Sequence, residues 1–301
     1  MKKITLFLFL LSPYFAMAQN DMQFSHYMYN ENMFNPAATG NTDKIIASIV
    51  ARQQWIGVDN PPSTQFLNAH TYLAKIKGGI GLTAINDRIG FENTLNLKIN
   101  YAYHTRISES ATLSGGLSAG FMNKKLDGSK LVYEQGIDPQ AIVTSTNAFS
   151  PDFGLGLEFN ASNITAGASS THINRGLKNS TVLTNPRHYF LYAKYKIKID
   201  TNFSIKPALL VKSSGFITQY ELNATVVYKE KISLGITYRI KESIVGLIGV
   251  SITDAIFIGY SYDFNVKPVN TYSSGSHEIM LQARLSALGK KKQDIKSVRF
   301  F

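Results

Sequence analysis

Catalysis or metal binding would fall to the histidines, serines and carboxylates of this chain, and their spacing supports neither. The six histidines, His26, His70, His104, His172, His188 and His277, are scattered, with no H-x-x-x-H pair and no local carboxylate-rich ligand set. Cysteine is absent, which removes thiolate chemistry, disulfides and a lipoprotein anchor. The glycines of Gly78-Gly79-Ile80-Gly81, Gly115-Gly116 and Gly154-Leu155-Gly156, and Gly246, do not lead from a strand into a helix, as a phosphate-binding loop must. They read instead as room for curvature or for crowded side chains. The sequence therefore offers no catalytic, cofactor-binding or metal-binding residues. A Ser-His-Asp/Glu site assembled from separate strands would leave no local motif, and stays open as a minor alternative.

A row of cations is more informative. Lys194, Lys196 and Lys198 alternate with Ala193, Tyr195, Ile197 and Ile199, and Lys206 and Lys212 continue the row on the next strand. A lysine facing lipid costs about 2–4 kcal/mol at the bilayer midplane, so the row should face the inside of a barrel. There it either pairs with Glu158, Glu221, Glu278 or an inserted segment, or forms a basic wall for an acidic partner.

The elements that would place such a row are strands. From Thr94 to His104, Leu95, Leu97, Ile99, Tyr101 and Tyr103 share one face, and Asn96, Lys98, Asn100 and His104 the other. About ten residues of such alternation, tilted at about 45°, cross an outer membrane. Candidate strands fall near 43–55, 63–75, 78–86, 92–106, 110–123, 149–160, 162–172, 187–199, 202–213, 216–229, 231–240, 242–251, 253–264 and 275–287. Fourteen strands is an even number, as single-chain bacterial barrels require. Strand 242–251 is apolar on both faces, which suits a plug or packed lumen. Short connections, such as Lys75–Gly78, Asp200–Asn202 and Lys229–Lys231, alternate with a set containing the long loops Lys124–Ala148 and Ile173–Pro186. That is the asymmetry of periplasmic turns and outer loops. Of the 301 residues, 44% are hydrophobic and 12% aromatic, which is too polar for a helical membrane protein.

Lys2 and Lys3, the apolar run Ile4–Leu11 and Ala16-Met17-Ala18 predict a signal peptide over residues 1–18, cleaved before Gln19 and directing export. The formal charge of +11 would suit nucleic acid, but export removes that partner. Residues 19–42 read as a periplasmic arm at the barrel mouth, possessing a short helix that Asn35-Pro36 stops. The barrel itself takes 43–288, and 289–301 forms a basic periplasmic tail.

Several short motifs occur in order. They are Gln23-Phe24-Ser25 with Tyr27, Asn35-Pro36-Ala37 with Gly40, Arg52 with Gln54-Trp55 and Gly57, Pro61-Pro62-Ser63-Thr64, and Gly275-Ser276-His277-Glu278. Together, from Gln23 to Ile279, they resemble the PorP/SprF family of type IX secretion system membrane proteins. The resemblance implies a non-enzymatic outer-membrane barrel that serves secretion or surface retention of exported proteins such as gliding adhesins. Its partners would be outer-membrane lipid, adhesin-like cargo and periplasmic secretion components, and the motif residues would be partner contacts. Trp55 is expected in the outer aromatic girdle. The second reading is a porin-like or fatty-acid-transporter-like diffusion channel.

Overall fold

The computed structural model describes residues 22–132, 143–174, 186–266 and 272–286. The expected signal peptide and basic tail lie outside them. Among the described residues no helix is long and apolar enough to cross a membrane, and the fold is built from strands.

The strands are β1 (Lys44–Gln53), β2 (Ser63–Leu73), β3 (Gly78–Ile89), β4 (Glu92–Arg106), β5 (Ala111–Asp127), β6 (Ser145–Ala161), β7 (Ile164–Thr171) and β8 (His188–Tyr195). They continue with β9 (Ile197–Lys198), β10 (Phe203–Ser213), β11 (Thr218–Tyr228), β12 (Ile232–Arg239), β13 (Ser243–Ser251), β14 (Ile256–Asn265) and β15 (Ser276–Ser286). Strand β9 continues β8 past a break at Lys196, so the two make one stave of fourteen. Every pairing is antiparallel, and β1 against β15 closes the ring.

Alternation decides which face meets what. On β11, Tyr220, Leu222, Val226 and Tyr228 point outward, while Gln219, Glu221, Asn223 and Thr225 are buried inside. Most inward positions are polar because lipid selects the apolar residues for the outside, but Val50, Phe66, Phe190 and Met280 point inward into one apolar cluster. Outward aromatics mark two belts. Tyr101, Tyr103, Tyr195, Phe203 and Tyr228 lie toward the short-turn end, and Phe121, Phe149, Tyr189, Tyr220 and Tyr238 toward the long-loop end. Tyr220 and Tyr228 are eight residues apart, about 26 Å along the strand at about 3.3 Å per residue. Between them lie outward Leu and Val side chains, the pattern of a membrane band flanked by aromatic girdles.

The expected staves agree with the observed ones to within a few residues at most ends. The main difference is the β5–β6 hairpin, which runs on to Asp127 and from Ser145. That extension pairs Asn123, Lys124 and Lys125 with Phe149, Ala148 and Asn147, beyond the apolar band, where hydrophobic alternation no longer signals a strand.

Candidate functional site

Residues 22–42 lie inside the barrel, where a periplasmic arm was expected. The expected helix is replaced by three single 3-10 turns, Tyr27–Tyr29, Glu31–Met33 and Pro36–Ala38. Short polar caps make these turns. The Asn30 side chain accepts from Asn32 N at 3.1 Å, and that of Asn35 from Ala37 N at 2.9 Å, with Pro36 opening the third turn. A segment without a ladder has to satisfy its remaining backbone groups from the wall, and it does so from strands all around the ring.

The segment starts at the long-loop end. Gln23 donates to Glu242 in the β12–β13 turn at 2.7 Å and accepts from Gln54, just beyond β1, at 3.4 Å. It leaves at the short-turn end, where Gly40 N donates to His70 Nδ1 at 2.9 Å and the Thr39 carbonyl contacts His104 Nε2 at 2.9 Å. Gly40 has φ +70°, and Gly79 of β3 lies against it. The chain thus threads the full lumen before β1 begins.

Near the long-loop end the segment is held by buried charge. Glu278 accepts from Ser25 N at 2.8 Å and His26 N at 2.9 Å, and contacts His26 Nδ1 at 2.7 Å. Arg52 donates to Asp263 at 2.6 Å, to Glu278 at 3.4 Å and to Ser25 Oγ at 3.0 Å. Arg239 donates to Asp263 and, at 3.0 Å, to Ser25 Oγ. It also forms an ion pair with Glu221 at 3.2 Å. All of these side chains are within a few per cent of complete burial. Charges so far from water persist only when paired, and the serine and histidine of the segment complete that pairing.

Toward the short-turn end the contact is backbone on backbone. A Cβ on Gly79 would overlap the Thr39 carbonyl, one on Gly116 the Ala37 amide, and one on Gly156 the Asn35 side chain. Three neighbouring regions of the wall thus leave a channel into which the Asn35–Gly40 backbone fits. Asn35 Nδ2 donates to Leu157 O at 3.1 Å and Tyr192 Oη at 2.9 Å, and Tyr192 in turn donates to Glu158. Rings fill the middle: Phe24 meets Phe66 edge-on at 5.4 Å, Phe34 stacks on Phe190 at 5.0 Å, and Tyr29 lies 4.7 Å from Phe257. Each such pair contributes about 0.5–1.5 kcal/mol beyond area burial.

The structure therefore brings most of the motif residues together. Gln23, Phe24, Tyr27, Asn35, Pro36 and Gly40 belong to the inserted segment, and Arg52, Gln54 and Glu278 to the wall that receives it. Trp55, Gly57, Pro62 and Gly275 form a corner above β1: Ile56 N donates to Gly275 O at 2.9 Å, and Pro62 O accepts from Gln54 N at 2.8 Å. Trp55 is 39% exposed there. His277 stands apart on the outer face, against Tyr260 Oη at 2.7 Å.

The lysine row finds one expected partner, the inserted segment, and one carboxylate that the sequence reading did not name. Lys194 pairs with Glu31 of the inserted segment, and Lys196 and Lys206 share Glu230, at 2.7 and 3.4 Å. Lys198 is exposed at the short-turn end. Glu158 and Glu221 lie within the electrostatic reach of Lys194 and Lys212 but are bonded directly by Tyr192 and Arg239, and Glu278 by His26. Arg239, Asp263 and Tyr192 escaped sequence reasoning. For Arg239 and Asp263 the one available signal was a charge on an inward strand position, and Tyr192 offered a polar ring at another. A second buried cluster, Asp152 with Lys98 at 3.2 Å, His172 at 2.9 Å and Asn96 at 2.6 Å, braces the wall near β7. Among the described residues no group of His, Cys, Asp and Glu could hold a metal.

Fold and interior together define an outer-membrane β-barrel of fourteen staves filled by its own N-terminal segment. The family model for the type IX secretion system membrane protein PorP/SprF matches residues 16–283, and the chain belongs to that family. No curated protein matches it. Among solved structures it is similar to the Ralstonia pickettii toluene transporter TbuX, with TM-score 0.53 and 11% identity over 84% of this chain and 92% of that one. It is also similar to the Acinetobacter baumannii outer membrane protein Omp33, with TM-score 0.48 and 11% identity over 81% and 97%. At such identity the likeness to TbuX speaks for the fold alone.

Proposed function

We propose that this outer-membrane type IX secretion component is a non-enzymatic anchor that supports secretion or surface retention of exported, adhesin-like proteins, with contacts made at its ends and not through its lumen. The observation that carries this reading is the inserted segment, which runs the lumen from Gln23 to Gly40 and is bonded through Ser25 and His26 to buried charges of the wall. In this reading residues 1–18 direct export, the long loops face outward to meet cargo, and the short-turn end meets periplasmic secretion components. Nucleic acid has no part in it. A pull-down from solubilised outer membranes tests it: one large surface protein should co-purify with the tagged barrel, and its absence would contradict the anchor role. A porin-like or fatty-acid-transporter-like channel is the competing reading, and it requires a route around or past the segment.

A further inference from the structure

The barrel wall is interrupted at one point. Strand β10 pairs with β8 from Ser213 as far as Ala208↔Lys194, and with β9 at Ile205↔Ile197 and Ser204↔Lys198. Between these, Lys206 and Pro207 stand opposite Lys196 and Tyr195 without a ladder pairing, although both pair normally with β11. The chemistry of the gap is plain. Lys196 N–H turns to Asn163 O at 2.7 Å on the β7 side, so strand alternation turns Tyr195 toward β10. There it meets Pro207, which has no N–H to donate.

Behind the gap lies a cavity of about 250 Å³. It is lined by Lys194, Lys196 and Lys206, by Met28 and Tyr29 of the inserted segment, by the β6–β7 turn at 161–165, and by the outward-facing Tyr195 and Pro207. Lys194 is matched by Glu31, but Lys196 and Lys206 share the single carboxylate of Glu230. Glu158 also stands near Lys194 and Glu31, so the uneven match is at Lys196 and Lys206, two ammonium groups on one carboxylate. Tyr195 belongs to the aromatic belt at the short-turn end, so the gap opens at headgroup level.

We propose that this cavity binds an anionic head, a carboxylate or phosphate, that reaches the lysines through the gap at Pro207 while its apolar chain stays in the bilayer. The volume holds such a head and a few methylenes, at about 30 Å³ for each water-sized group. Glu230 is the internal counter-ion that the ligand displaces, and Lys196 and Lys206 are the groups it meets. This site is independent of the secretion role.

Native mass spectrometry of the full chain in detergent, titrated with dodecyl phosphate, tests the proposal. One molecule should bind; the double variant Lys196→Gln with Lys206→Gln should weaken binding at least tenfold, and Glu230→Gln should tighten it. Neutral dodecanol should not bind at the same concentrations. Competition by inorganic phosphate alone would assign the site to a soluble anion, and its failure to compete would assign it to lipid. Opposite effects of the lysine and glutamate variants separate binding from damage to the fold, which heat-modifiable gel mobility also monitors. Equal affinity of wild type and double variant, equal binding of dodecanol, or weakening by Glu230→Gln would overturn the proposal.

Discussion

Arg52 shows how much rests on single residues in a polar lumen. Its guanidinium bridges Asp263 and Glu278 and also reaches the Ser25 hydroxyl, so it joins two staves to the inserted segment. Removing it would leave two carboxylates buried with weakened compensation, a loss of about 3–5 kcal/mol for a broken buried pair. Arg52→Ala should therefore release the segment near Ser25 and His26, measured as new protease cleavage between residues 22 and 30 of the folded barrel. Cleavage no faster than in wild type would show that Arg239 alone holds the segment. Arginine and glutamate in these positions look like ordinary lumen polarity in the sequence. Only their convergence with Ser25 and His26, more than two hundred residues from Glu278, reveals what they hold.

At the scale of elements, the staves were legible and the inserted segment was not, for one physical reason. Lipid imposes a period of two on every strand it touches, as on Leu95, Leu97, Ile99, Tyr101 and Tyr103, and that period can be read from one sequence. The lumen imposes no period. Residues 22–42 are shaped by local caps at Asn30 and Asn35 and by the wall around them, and neither leaves a repeating pattern. Gly79, Gly116 and Gly156 do make room, but Gly115 and Gly246 have no close neighbour, and what fills the room at the first three could not be read from them. Gly116 tests this directly. A side chain there must collide with the Ala37 backbone, so Gly116→Val should displace the segment while β5 keeps its pairing with β4 and β6. Displacement would appear as a faster exchange of the Ala37 and Gly40 amides with unchanged folded mobility on a gel. Unchanged exchange would mean that the wall yields instead.

For the whole molecule, the path of the segment fixes where residue 23 and the start of β1 lie relative to the barrel. Gln23 lies at the long-loop end, near Glu242 and Gln54, whereas β1 starts at the opposite end. With the long loops outside, Gln23→Cys should react with an impermeant thiol reagent on intact cells, and Asn202→Cys, in a short turn, should not. The reverse pattern would invert the orientation.

The central claim is that the lumen is closed by the chain's own residues 22–41, and conductance in planar bilayers measures it most directly. The wild-type barrel should show little steady conductance, and a variant lacking residues 22–41 should open a persistent, salt-dependent current. A wild-type current equal to that of the deletion variant would contradict the account.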